Sequence, residues 1–349
     1  MRCMWSAPIL TAKLSGGFTE TKVPRTLSEK RIIQKRRAQG ILVPLLEEMF
    51  RKPVGIDTPE DAAWMHRLME KAIEREKVRK IEEGVFSPSS LASCIRKVYL
   101  TKNWKKLGFE RIEVPRIEPN GYFFKGDMVH LQWQFALYKL SQRCEEFELL
   151  PDGDGHHLVE VRVMSKRGDH GGTIDAIGAI RGEPYIIDPK GVNLRTFQKA
   201  VRGDVEDSYR IQIADYMVLV NAGAIIISGT PMKLKKRVEN ALLLYESKAG
   251  PDPFHPLALA EVLVPLKKNM PEVRLRLEVL RGHEARQEIP KPECESTRTL
   301  QFQGCPFAEF CRKEVKEIEK RKRVAEGRNS NGLRVARSSR KRSNRSGRS

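Results

Sequence analysis

Two acids and a lysine stand close together near the middle of the chain, in the segments Gly172-Thr173-Ile174-Asp175 and Ile187-Asp188-Pro189-Lys190. A carboxylate pair suits a hard divalent cation, and an ammonium group beside it can be aimed at an attacked phosphate. Gly172–Ile180 and Tyr185–Lys190 read as apolar strands joined by Arg181-Gly182-Glu183-Pro184, a hairpin-length turn. With those four residues in the turn, Asp175 falls opposite Lys190 and Ile177 opposite Asp188. Strand side chains alternate faces with period two, so Asp175, Asp188 and Lys190 project from one face. Burying them there is costly unless they bind something. An Asp-x-Lys pair alone is common by chance, as a plain salt bridge on a surface hairpin.

The neighbours add to it. Gly126-Asp127-Met128-Val129-His130 puts an imidazole on a helix ahead of the hairpin, read as Lys125–Ser141. Downstream, Gln212 and Tyr216 stand four apart on a helix read as Asp207–Val220, hence on one face. Around these lie two N-terminal helices, Leu27–Phe50 and one capped at Asp57-Thr58-Pro59-Glu60 that runs to Glu83-Gly84. Ser87-Pro88-Ser89-Ser90 leads into a helix over Leu91–Lys102, carrying Cys94 in its first turns. His157–Lys166 alternates as a strand. Ala224–Ser228 and Ala241–Glu246 are further strands, and a last long helix lies within Leu257–His283. Helices, then an antiparallel-leaning sheet, then helices describe an α/β core with a helical N-terminal elaboration. Internal repeats are absent.

Taken together, Gly126–His130, Gly172–Asp175, Ile187-Asp188-Pro189-Lys190-Gly191 and Gln212–Tyr216 resemble the motif set of RecB-like nucleases in the PD-(D/E)xK superfamily, over roughly residues 85–315. The resemblance implies a central mixed sheet flanked by helices. It also implies that His130, Asp175, Asp188 and the carbonyl of Pro189 coordinate Mg²⁺ or Mn²⁺. Lys190 would orient or activate the hydrolytic water, and Gln212 and Tyr216 would position the DNA strand or support the active-site loop. His130 must be neutral to bind metal, with its other ring nitrogen held by a partner.

Six cysteines occur, Cys3, Cys94, Cys144, Cys294, Cys305 and Cys311, and no long apolar leader precedes them. A disulfide framework is therefore not expected, and a cytoplasmic location is. Close thiolates in a turn-rich stretch suit Zn²⁺ or an iron–sulfur cluster. Some RecB-like nucleases, among them the AddB-type recombination nucleases, the CRISPR-adaptation nucleases and a eukaryotic replication helicase–nuclease, hold a [4Fe–4S] cluster with one cysteine before the core and three after it. In its free-standing size the chain resembles the CRISPR-adaptation family and its relatives encoded in phage genomes. Cys94, Cys294, Cys305 and Cys311 look similar. One departure stands out: the family spaces the last three as C-x2-C-x5-C, but ten residues separate Cys294 from Cys305, and the expected position is Phe302. Cys144 and Cys3 fall outside the pattern, as a buried thiol and a mobile one.

The net charge of +19 favours a polyanionic partner. From Lys320 to Ser349 the chain is dominated by Lys, Arg, Ser, Asn and Gly, with Glu326 its one acid. Such a tail should be disordered, serving either as a solubilising segment or as a salt-sensitive phosphate binder. The organisation expected is a helical region over 1–84, a nuclease domain with the cysteines over 85–315, and the basic tail over 316–349. No apolar run is long enough to span a bilayer, and no Gly-x4-Gly-Lys-(Ser/Thr) loop is present, so unwinding would need a separate helicase or a recombination or adaptation partner. The function implied is a metal-dependent deoxyribonuclease, an exonuclease on single-stranded or end-containing DNA. The alternatives are a structure-specific endonuclease and a non-catalytic nucleic-acid-binding protein on the same fold. Trp133, Phe123 and Phe124 are aromatics that could stack on bases, with core packing the commoner use.

Overall fold

A computed structural model describes residues 40–78, 84–108, 122–249, 259–294, 296–299, 303 and 305–321. Cys3, the stretch 27–39 and nearly all of the basic tail lie outside the described residues.

The helices come first: α1 (Val43–Met49), α2 (Pro59–Val78), α3 (Pro88–Leu91), α4 (Ile95–Asn103) and α5 (Tyr122–Arg143). Then follow β1 (Phe147–Leu149), β2 (Val159–Met164), β3 (Gly171–Ile180), β4 (Glu183–Val192), α6 (Leu194–Val201) and α7 (Asp207–Asn221). The chain continues through β5 (Ile225–Ile227), β6 (Thr230–Met232), β7 (Asn240–Ser247), β8 (Leu259–Pro265) and α8 (Leu266–Arg286), with a final helix α9 over 308–321. The sheet order is β6-β5-β2-β3-β4-β7-β8, with β1 also on β3. β4 and β7 are parallel and the other pairs antiparallel. Helices cover both faces. Ile177, Ile186, Leu243 and Tyr245 pack with Val98, Met217 and Val273 of α4, α7 and α8. Ala176, Ile187, Leu242 and Leu244 pack with Leu46, Trp64 and Leu137 of α1, α2 and α5. The architecture is thus α/β, a central mixed sheet flanked by helices.

Several local readings need correction. Residues 40–42 are not helical, so no continuous helix runs from Leu27 to Phe50. Helix α1 starts instead where Pro44 fits its first turn, and its free N–H groups are taken by a strand residue: Glu261 accepts from Ile41, from Leu42 at 2.8 Å and from Val43 at 2.6 Å. The helix expected over Leu91–Lys102 is two helices, and Cys94 is the N-cap of the second. Arg276 of α8 enforces the break by donating to the carbonyls of Leu91 at 2.9 Å and Ser93 at 2.8 Å. The last long helix, expected somewhere within Leu257–His283, starts only at Leu266; residues 259–265 before it are strand β8, and Pro265 ends the strand as the N-cap of α8. Helix α6 and strands β1 and β6 were not anticipated.

The ends of α2 and α5 are tied by a buried ion pair. Lys139 Nζ lies 2.8 Å from Asp61 Oδ2, and the side chains are 4% and 0% exposed. The same Asp61 oxygen accepts from the N–H groups of Asp57 and Thr58, while Thr58 accepts from Asp61 N, a reciprocal cap at the start of α2. Lys139→Met leaves a carboxylate buried without its cation. We expect it to lower unfolding stability by about 3–5 kcal/mol. Urea titration measures this, and a loss below about 1 kcal/mol would mean the Asp61 charge is supported by its backbone donors alone.

Candidate active site and cysteine cavity

The β3–β4 turn has two residues, not four. Arg181 and Gly182 both take positive φ (52° and 77°), the pattern of a type I′ hairpin, and Ile180 pairs with Glu183. Every cross-strand pair therefore shifts by two: Ile177 meets Ile186, and Ala176 meets Ile187. Asp175 is not opposite Lys190. Because the shift is even, each side chain keeps its face. Continued by one step, the register sets Asp175 against Asp188, but the ladder stops at Ala176–Ile187. A proline inside a central strand is tolerated here because β3 no longer pairs beyond Ile187. The site occupies the place where the strands part.

There the Asp175 and Asp188 carboxyls stand beside one another, each acting on the other's ionisation. Lys190 Nζ is 2.8 Å from Asp188 Oδ1, and His130 Nδ1 is 3.0 Å from Asp175 Oδ1. Asp188 Oδ2 is buried with no hydrogen-bond partner. Burial, reinforced by the charge of Asp175, pushes the Asp188 carboxyl up to about 7 against the pull of Lys190. Burial also opposes ionisation of Asp175, yet His130 and Lys190 hold that carboxyl well below the ordinary range. For His130, burial works against the imidazolium and the Asp175 carboxylate overrides it, raising the ring above its usual value. Two carboxylates thus compete for one proton in a buried pocket. Among the described residues, no group of three or more His, Cys, Asp or Glu is arranged to hold a metal ion as it stands. In this arrangement His130 and Lys190 occupy one carboxylate each.

The supporting residues fall around this pair. Tyr216 is buried and hydrogen-bonded to Gln212; burial and the two carboxylates push its phenol up. Its hydroxyl lies against Gly172, where an added Cβ would come within 2.9 Å. Gly172→Ala should therefore displace Tyr216 and cost about 1–3 kcal/mol through overpacking, read by urea unfolding. Wild-type stability in that variant would show that the ring yields freely. Lys190 Nζ sits 5.1 Å from the ring centroid of Tyr209. Pro189 is buried between the two site residues of β4. Trp133 is core, donating to Glu246 at 2.6 Å; the side chains of Phe123 and Phe124 lie outside the described residues.

Two site neighbours were missed by the sequence reading. Gln134, one helical turn after His130 on α5, donates to Glu160 Oε1 at 2.6 Å and to the Asp175 carbonyl at 3.2 Å. Glu160 stands in β2 with φ at 52°, a strained value for a residue with a side chain, between Val159↔Ala176 and Val161↔Ile174. The i, i+4 spacing of His130 and Gln134 was the signal for the first. Nothing in the sequence marks the second.

A second assembly lies between α4 and α9. Cys94, Cys294, Cys305 and Cys311 line one cavity of about 60 Å³. All four are free thiols, Cys94 and Cys311 buried and the other two half-buried. Cys294 reaches it although its spacing is irregular, because the neighbouring Glu293 accepts the N–H of Ile95 at 2.8 Å, beside Cys94. Burial pushes the Cys311 thiol up to about 11, opposed by Arg96. Cys144 is half-buried against the opposite core and takes no part.

No family model matches the sequence, and no curated protein does. Among solved structures, SSO0001 is similar at 19% identity, covering 70% of this chain and 95% of that one, with a TM-score of 0.37. LHK-Exo in complex with dAMP is similar at 12% identity over 58% of this chain and 89% of its own, TM-score 0.38. The structure titled an alkaline exonuclease (LHK-Exo) from Laribacter hongkongensis gives 12%, 58%, 91% and 0.35. Likenesses this distant leave function to be argued from the site itself.

Proposed function

We propose that the chain is a divalent-metal-dependent deoxyribonuclease of the PD-(D/E)xK type, acting as an exonuclease on single-stranded or end-containing DNA. The observation that carries this is the buried carboxylate pair: Asp188 has an oxygen with no donor and competes with Asp175 for one proton, with an ammonium 2.8 Å away. With His130 in its neutral form, two carboxylates face a single ammonium, and a hard cation of the Mg²⁺ or Mn²⁺ class fits them. Asp175, Asp188, the Pro189 carbonyl and His130 in its neutral form would hold the ion. When bound, it supplies Lewis acidity at the phosphoryl oxygen.

The chain's own groups do the rest. Lys190, anchored to Asp188, presents its ammonium to charge developing on the phosphate and orients the attacking water. Gln134 and Glu160 fix the backbone of Asp175 and the helix that carries His130. Tyr216, backed by Gln212, limits the pocket on the α7 side and positions the strand. The net charge of +19 supports a polyanionic substrate.

A [4Fe–4S] cluster held by Cys94, Cys294, Cys305 and Cys311 is the second part of the reading. Its support is the shape of the cysteine cavity. The four thiols line one void. That suits a cluster better than one zinc ion, whose four ligands converge on a point. Bound there, the cluster would tie α4 to the C-terminal segment.

The experiment is anaerobic purification followed by digestion of end-labelled linear and of circular DNA with Mg²⁺ or Mn²⁺. Release of mononucleotides or short oligonucleotides from linear DNA, with closed circles spared and EDTA inhibiting, is the expected result. Cutting of circles would replace exonuclease by endonuclease, and binding without any cleavage would leave the non-catalytic alternative.

A further inference from the structure

Arg96 is the one charged side chain lining the cysteine cavity that is itself almost wholly buried, at 4% exposed. It makes a two-pronged pair with Glu314 of α9, Nη1 to Oε2 at 2.9 Å and Nη2 to Oε1 at 2.7 Å, and its guanidinium lies 4.9 Å from the Phe310 ring centroid. Glu314 is 49% exposed, so water could solvate that carboxylate without help. What stays unexplained is the inner side of the guanidinium. Arg96 Nε is buried and donates to nothing. An N–H left unpaired inside a protein costs about 1–3 kcal/mol, and more on a charged group. A cation with an unspent donor, set among four thiols, is placed for an anionic sulfur acceptor.

We propose that Arg96 is a positioning and tuning residue of a sulfur-ligated cluster, its Nε–H and its charge directed at the sulfur atoms, with Glu314 setting how much of that charge is felt. The inference rests on the cluster reading above. A tetrathiolate iron–sulfur centre is anionic and becomes more so on reduction, so hydrogen bonds and positive charge near its sulfurs raise the reduction potential. Losing Arg96 should lower that potential. Weakening Glu314 should raise it, because the guanidinium is then less neutralised. A pair that only ties α4 to α9 predicts no such opposition of sign.

The test is a redox titration, followed by electron paramagnetic resonance of the reduced cluster, on anaerobically purified full-length wild type, Arg96→Met and Glu314→Gln. Iron and sulfide are assayed on each preparation. The expected result is a cluster in all three, with the potential shifted down in Arg96→Met and up in Glu314→Gln, and altered g-values in the first. Where Arg96→Met does not fold, Arg96→Lys keeps the charge and removes the Nε donor, and a smaller downward shift is expected. Equal potentials in proteins of equal iron content would overturn the role of Arg96 and leave the cluster standing. Wild-type protein without iron and sulfide overturns the cluster reading, and the Arg96 inference with it.

Discussion

Asp188→Asn loses DNA cleavage by about a thousandfold or more while DNA binding stays within a few-fold of wild type. The size follows from the chemistry: Lewis-acid stabilisation contributes several kcal/mol to such a transition state, and each 1.36 kcal/mol is about tenfold. The binding result follows because affinity for a polyanion comes from distributed Lys and Arg contacts, which one buried carboxylate does not supply. Stability separates this from simple damage. In EDTA the variant should be as stable as wild type or more so at pH 7, since Asp188 is a buried acid that resists ionisation. The sign can be worked through. Burial, with the Asp175 charge, puts the folded carboxyl at about 7, above its unfolded value, so the native state binds more protons between about pH 4 and 7. Metal-free wild type therefore loses stability across that window as pH rises, and Asp188→Asn does not. Added Mn²⁺ reverses the order, because ligand at about 100 times its Kd stabilises only the competent protein, by about 2.7 kcal/mol. Calorimetric scans in EDTA and in Mn²⁺ measure both. Unimpaired cleavage by Asp188→Asn removes the residue from the reaction.

If the proposed cluster is present, Cys311→Ser and Cys94→Ser, purified without oxygen, should lack the iron and sulfide expected in wild type, and Cys144→Ser should keep them. The cavity lies between α4 and α9, beside the Ile95–Glu293 and Arg96–Glu314 contacts. Metal centres of this kind contribute folding energy outright. We therefore expect residues beyond about 287 to become accessible to protease in the two variants while the sheet survives as a resistant fragment. Among the described residues, the sheet's core clusters hold their own helices on both faces, which is why they should outlast the cluster. Iron retained in Cys311→Ser would remove that residue from the ligand set. Zinc in place of iron would change the centre's identity.

Which residues meet at the hairpin was easier to read in the sequence than their register, and the reason is parity. The reading placed the turn over four residues and erred by two in register, yet Asp175, Asp188 and Lys190 still share a site because side chains repeat every second residue. Arg181 hid the true turn: a type I′ turn usually advertises itself with Asn or Gly at the first position, and here an arginine takes the left-handed conformation. Strand β8 was hidden by its run into α8 without a break other than Pro265. The end of α3 was hidden for another reason, since the group that stops it is Arg276, 183 residues beyond Ser93. Long-range caps of this sort, Glu261 on α1 among them, leave no local trace. The irregular position of Cys294 became intelligible only through the Glu293–Ile95 hydrogen bond.

The most direct measurement is an anomalous difference map from crystals of the protein soaked in Mn²⁺. The account predicts a peak in contact with both Asp175 and Asp188, with His130 turned from its carboxylate to the ion, and no such peak in Asp188→Asn crystals. Crystals at saturating Mn²⁺ with no anomalous peak at Asp175 and Asp188, and His130 still on the Asp175 carboxylate, would contradict it.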